Sequence, residues 1–174
     1  MPLKIISWLF GFGAMLSLFL IYQQKNRKKL IIFKLCADVC WAIHYLCIFA
    51  PGGMVPNLVG IGRELVFVNR EEKKWAKSIF WPLLFILINL TLGIITANRL
   101  INFLPITASV FVTVSLWLKN PTLTKIISVP VSAAFLIYDI FVGSYIGIVN
   151  ESLAICSIII SFIKSKLERK EDYV

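Results

Sequence analysis

Charged and amide side chains inside long apolar runs are where this chain can do chemistry. Asp38, His44, Asn57, Arg63, Glu64 and Glu151 stand in such runs. A charge in hydrocarbon is costly unless it pairs or faces a wet interior. Each of these residues therefore points to a solute pathway, a proton carrier or an internal lock. The amide of Asn57 and the carboxylate of Glu151 suit hydrogen bonding to the hydroxyls or amines of a polar solute. Asp38 and Arg63 suit a structural ion pair. His44, the only histidine, can shuttle protons, gate access or act as structural glue across helices. Neither GxSxG nor HExxH occurs, and no second histidine stands by, so catalysis is not expected. Cys36, Cys40, Cys47 and Cys156 form no CxxC and are read as small apolar fillers. No metal, nucleotide or other cofactor is called for.

The elements that carry these residues follow from composition. Of 174 residues, 59% are hydrophobic and 16% charged, with mean hydropathy +0.84. A soluble domain is about 45–50% apolar and about 25% charged. Disorder is excluded by the same comparison. A bilayer core takes about 20 helical residues to cross, so seven crossings leave no room for a separate soluble domain. The net charge of +9 comes from 18 Lys+Arg against 9 Asp+Glu. The basic residues cluster between apolar runs, which is an orientation signal and not a nucleic-acid footprint. Membrane lipids are the expected surroundings, a homo-oligomer is compatible with the chain, and nucleic acid is not an expected partner.

Apolar runs between charges predict an all-α polytopic protein with spans over 4–22, 30–49, 53–69, 79–97, 100–118, 122–142 and 146–163. Pro51-Gly52-Gly53 turns span two into span three, and Gly143-Ser144-Tyr145 turns span six into span seven. Lys25, Arg27, Lys28, Lys29, Arg70, Lys73, Lys74, Lys77, Lys119, Lys125, Lys164, Lys166, Arg169 and Lys170 fall on one side, and Lys4 and Arg99 on the other. The positive-inside rule then puts the N-terminus outside and the C-terminus in the cytoplasm.

A shift of 94 residues aligns spans two and three with spans six and seven without a gap, matching Lys25-Asn26 to Lys119-Asn120 and Gly53 to Gly147. The expected plan is 3+1+3: a three-helix bundle over 4–69, a linker helix over 79–97, a second bundle over 100–163 and a tail over 164–174, with the bundles parallel about an axis along the membrane normal. Repeat symmetry sets Asn57 opposite Glu151, as the polar floor of one pocket. Trp41 and Phe135 pair as aromatic walls, and His44 and Tyr138 match one turn further out. The plainer alternatives are that Asn57 ties down the adjacent turn, Glu151 reaches outer-surface water and the aromatics pack on lipid or neighbouring helices. Counting depth from the hairpin centre brings Asp38 level with Arg63; Ser132 and Ser157 replace them in the second half. Pro105 and Pro130 permit kinks, and Gly11, the counterpart of Pro105, can hinge span one or let it pack closely.

The 3+1+3 plan resembles the SWEET/PQ-loop superfamily of small transporters. More closely, the chain resembles the YgjV family of bacterial inner-membrane proteins. The residues that carry this are Ile43-His44-Tyr45 with Asn57, then Asn102-Phe103-Leu104-Pro105, Tyr138-Asp139 and Gly143-Ser144-Tyr145-Ile146-Gly147 with Glu151. It departs from that family's pattern with Phe103-Leu104-Pro105 for Leu-Leu-Pro and Tyr138-Asp139 for a His-Asn pair. The SWEET-like resemblance implies an Asn on each pocket helix and prolines that act as hinges. The expected role is a transporter of a small polar solute, facilitative or ion-coupled, working by alternating access, with Glu151 as proton carrier where coupling occurs. A non-transporting membrane receptor or small-ligand binding protein of the same fold is the alternative.

Overall fold

The computed structural model describes residues 2–22, 26–118 and 121–171. Lys25, Lys119 and Asn120 lie outside the described residues. So do the side chains of Lys125, Lys164, Lys166, Arg169 and Lys170. Seven α-helices account for nearly all of the described chain: α1 (Pro2–Tyr22), α2 (Arg27–Cys47), α3 (Pro51–Phe67), α4 (Phe80–Thr96), α5 (Phe103–Leu118), α6 (Pro121–Val142) and α7 (Tyr145–Glu171). Short 3-10 turns at Trp75–Lys77 and Leu100–Asn102 lead into α4 and α5. The described residues form no strand.

Local chemistry sets the helix ends. Asn26 caps α2, its side-chain oxygen accepting from the amides of Lys28 (2.8 Å) and Lys29 (3.3 Å). Pro51 opens α3 at a position where no amide is needed. Gly143 takes φ +71° in the turn after α6, a conformation that costs a residue without Cβ little. Pro105 falls in the first turn of α5, where its missing N–H removes no bond of that helix's own ladder. Pro130 does lie inside α6, and Pro56 inside α3. α7 continues to Glu171, through the stretch read as a tail. Its Lys- and Glu-rich end carries good helix formers after the hydropathy falls away.

Chain neighbours pack together as α1–α2–α3 and as α5–α6–α7, and the two sets meet through α3 with α5 and α1 with α7. α4 lies against α3 and α5. One apolar core gathers Ala14, Ala37, Trp41, Tyr45, Tyr138 and Ile146; another gathers Ile31, Val55, Val59, Phe67 and Phe85. Small residues bring α1 close: a Cβ on Gly11 would sit 3.0 Å from His44 Nδ1 and from Ile146. Gly11 is therefore a close-packing position. Leu9, Phe19, Leu87, Ile95 and Phe141 are each exposed by 60% or more, while Asp38, Arg63, Glu64 and Asp139 are buried to within 2%. Polar residues inside and large apolar ones outside is the arrangement a lipid solvent selects. Pro2–Ile21, Arg27–Cys47 and Leu100–Leu118 are long and apolar enough to cross a membrane, with shorter apolar helices at Phe80–Thr96, Ile126–Val142 and Tyr145–Ile160.

Candidate functional site

Four charges on α2 and α3 meet in the interior. Lys34 and Asp38 stand one turn apart on α2 and form an ion pair. From α3, Arg63 Nη2 lies 3.6 Å from the other Asp38 oxygen. The same guanidinium donates to Glu64 Oε1 through Nε (3.2 Å) and Nη2 (2.9 Å). Its Nη1 crosses to α5, donating to Thr113 Oγ1 (2.8 Å) and the Ser109 carbonyl (3.4 Å). Two cations and two anions thus balance. Asp38 Oδ2 and Glu64 Oε2 remain buried without a hydrogen-bond donor. Gly60 makes room for this: a Cβ there would collide with Asp38.

Above the cluster is a cleft of about 40 Å³ lined by Lys34, Asp38, Asn57, Arg63, Ser109 and Phe135, with Pro56 and Val112. These residues come from α2, α3, α5 and α6. The cleft is polar on the α2–α3 side and aromatic where Phe135 enters. Asn57 is 8% exposed, and its amide donates back to the Gly53 carbonyl (2.7 Å), so it both holds the first turn of α3 and faces the cleft. Glu151 does not line the cleft. It is partly exposed on α7, takes a hydrogen bond from Asn150 (2.9 Å) and lies beside Ser132, within electrostatic range of Lys34.

Trp41, His44 and Tyr138 lie elsewhere, at the hairpin-turn end of the bundle. Trp41 stacks on Tyr45 with centroids 5.6 Å apart and meets the His44 ring edge-on. His44 lies 2.8 Å from the Ser7 carbonyl through Nδ1 and 2.8 Å from Ser144 Oγ through Nε2. It reaches from α2 to α1 and to the residue before α7. Tyr138 reaches the other way, from α6 to α3, where its oxygen accepts the Gly53 amide (2.9 Å). Between them Tyr45 Oη donates to Asp139 Oδ1 (2.8 Å). The six residues expected to share one pocket therefore fall into a cleft pair (Asn57 and Phe135), an end cluster (Trp41, His44 and Tyr138) and Glu151, which lines neither but lies within electrostatic range of Lys34 and of Asp139.

Lys34, Ser109 and Thr113 complete the cleft and its charge cluster without having been singled out in the sequence. The spacing of Lys34 and Asp38 is a signal that could have found the first of them. Nothing local marks the other two. At the opposite end of the bundle, Arg70 lies 3.4 Å over the Trp117 ring and donates to the Trp117 carbonyl. Arg27 donates to the Leu116 carbonyl (3.1 Å). Two cations thereby close the carboxyl end of α5.

A described chain that is helical throughout its regular structure, with apolar helices fit to cross a bilayer and Asp38, Arg63, Glu64 and Asp139 buried among them, is what an integral membrane protein is expected to show. Residues 5–169 match the model of the Imp-YgjV family, described as bacterial inner membrane protein, and the chain belongs to that family. No curated protein and no solved structure matches it.

Proposed function

We propose that the protein is a carrier of a small polar solute, not an enzyme, and that its two helix triplets rock about the cleft at Asn57. The observation that carries this is the cleft itself: charged and amide side chains facing a cavity formed jointly by helices of both triplets. A metabolite site is typically about 300–1,000 Å³. The cleft of about 40 Å³ is then a closed state that admits water or a small ion, and it widens as the triplets separate. Glu151 joins the cleft on that opening, from its place beyond Lys34.

In this reading all seven helices cross the inner membrane, in a 3+1+3 parallel repeat with the N-terminus outside and the C-terminus in the cytoplasm. The packing supports the repeat. α3 against α5 and α1 against α7 are corresponding pairs under a 94-residue shift, the first the more extensive. Under that shift His44 corresponds to Tyr138, and each reaches the start of the third helix in the opposite triplet. Tyr45 and Asp139 are also counterparts, and they touch each other, as residues on a two-fold axis must.

The test is uptake into liposomes loaded with the purified full chain, screened across a broad metabolite panel. A flux that falls at least tenfold in Asn57→Ala or Glu151→Gln is expected. Absence of any flux, or a flux indifferent to both changes, would end the carrier reading. Retention of a solute without flux would instead make the protein a receptor or binding protein of the same fold.

A further inference from the structure

The end cluster contains a chain of hydrogen bonds whose directions can be worked out. Two Ser7 oxygens face His44 Nδ1: the carbonyl at 2.8 Å, which can only accept, and the hydroxyl at 3.0 Å, which can accept or donate; a hydrogen on Nδ1 suits both and is required by the closer one. In a neutral ring Nε2 is then an acceptor, and the Ser144 hydroxyl donates to it. That spends the one proton of Ser144. Its oxygen still has a lone pair, and it shares one small space with Asp139: a Cβ on Gly147 would strike both Ser144 Oγ and Asp139 Oδ2. Asp139 is 1% exposed. Its Oδ1 is satisfied by Tyr45, but its Oδ2 has no donor.

Among the described residues, the groups facing this oxygen offer no positive charge. α2 supplies His44, neutral in the resting arrangement described, and Tyr45. α6 supplies Tyr138, whose oxygen is turned to Gly53. α7 supplies Glu151, a second acid within electrostatic range. α1 meets the series through Ser7, which touches His44. A bare carboxylate enclosed in this way is expensive. A proton on Oδ2, directed at Ser144 Oγ, gives every donor in the series Asp139–Ser144–His44–Ser7 an acceptor.

We propose that Asp139, Ser144 and His44 form a proton-binding site at the junction of the two triplets, holding one exchangeable proton. The proton rests on Asp139 Oδ2. Transfer to His44 breaks that O–H bond as a new one forms on Ser144 Oγ. The original Ser144 O–H bond breaks as Nε2–H forms. The products are an Asp139 carboxylate and a His44 imidazolium, so proton number and net charge are unchanged. Exchange with bulk water takes place when the hairpin-turn end opens. Use of this proton as a coupling ion rests on the carrier reading, whereas its binding does not.

Because His44 is the only histidine, nitrogen NMR of the ¹⁵N-histidine-labelled full chain in detergent reads this one ring. The unmodified protein is expected to show the Nδ1–H tautomer at neutral pH. Infrared spectra should contain a protonated-carboxyl carbonyl band that is lost in Asp139→Asn and moves to higher frequency in Ser144→Ala. As pH rises the band should disappear in step with a shift of the Nε2 resonance, and Asp139→Asn should abolish that shift. An Nε2–H tautomer in the unmodified protein, or no band lost in Asp139→Asn, would overturn the proposal even where another variant fails to fold. Solute flux without these signatures removes the proton site and leaves the carrier. The signatures without flux do the reverse.

Discussion

Replacing Arg63 with Met isolates the energetics of the buried charge cluster. The methionine occupies a similar path along α3 but removes every polar contact of the guanidinium: two bonds to Glu64, two to α5 and the approach to Asp38. Asp38 keeps Lys34. Glu64, which is 0% exposed, loses the only hydrogen-bond donors described for it. Stranding a buried charge by deleting its partner costs about 3–5 kcal/mol. For a chain of this size each kcal/mol lowers the midpoint by about 2–4 °C, so a drop of roughly 6–20 °C is expected. The assay is thermal unfolding in detergent, followed by loss of the monodisperse size-exclusion peak. The double variant Arg63→Met/Glu64→Gln should recover at least half of the loss, because the stranded carboxylate has gone. An Arg63→Met midpoint within 2 °C of the unmodified protein, or a double variant no better than the single one, would refute the reasoning.

Gly53→Ala places a Cβ 2.7 Å from the Tyr45 ring, which Trp41 and Asp139 hold in place; about 1–3 kcal/mol of destabilisation is expected by the same assay. Reporter fusions should place residue 2 outside and residue 171 in the cytoplasm, and termini on one face would remove the proposed topology. The exposed Lys28–Glu72 pair (2.8 Å) holds the Glu72 carboxyl below its ordinary range through a hydrogen bond and charge. Its small contribution is thus present at neutral pH and fades as acid protonates Glu72. Glu72→Gln should therefore leave the neutral-pH midpoint almost unchanged and flatten its acid dependence, and a large loss at neutral pH would contradict this.

Helix existence is legible in the sequence because bilayer-length apolar runs are bounded by strong punctuation. Pro51 and Gly143 both sit at the turns they predict. Helix extent is less so: α7 outlasts its hydropathy, since a Lys- and Glu-rich stretch continues a helix without any apolar signal. The meeting of Asp38 with Arg63 follows from depth counting along a single hairpin. The division of the expected pocket does not, because symmetry pairs positions without saying which way a side chain turns. Asn57 turns back to Gly53, and His44 is drawn to Ser7 and Ser144, 37 and 100 residues away in the chain. No local pattern encodes such distant partners.

The bond between Tyr45 and Asp139 constrains how such an architecture arises. Under the two-fold plan, this is where each half confronts its own equivalent. Two identical short chains would have to present like against like there, phenol to phenol or acid to acid. In the proposed repeat, joining the halves in one polypeptide lets each side diverge alone, so that a donor meets an acceptor and the contact on the axis acquires a direction no symmetric pair could have.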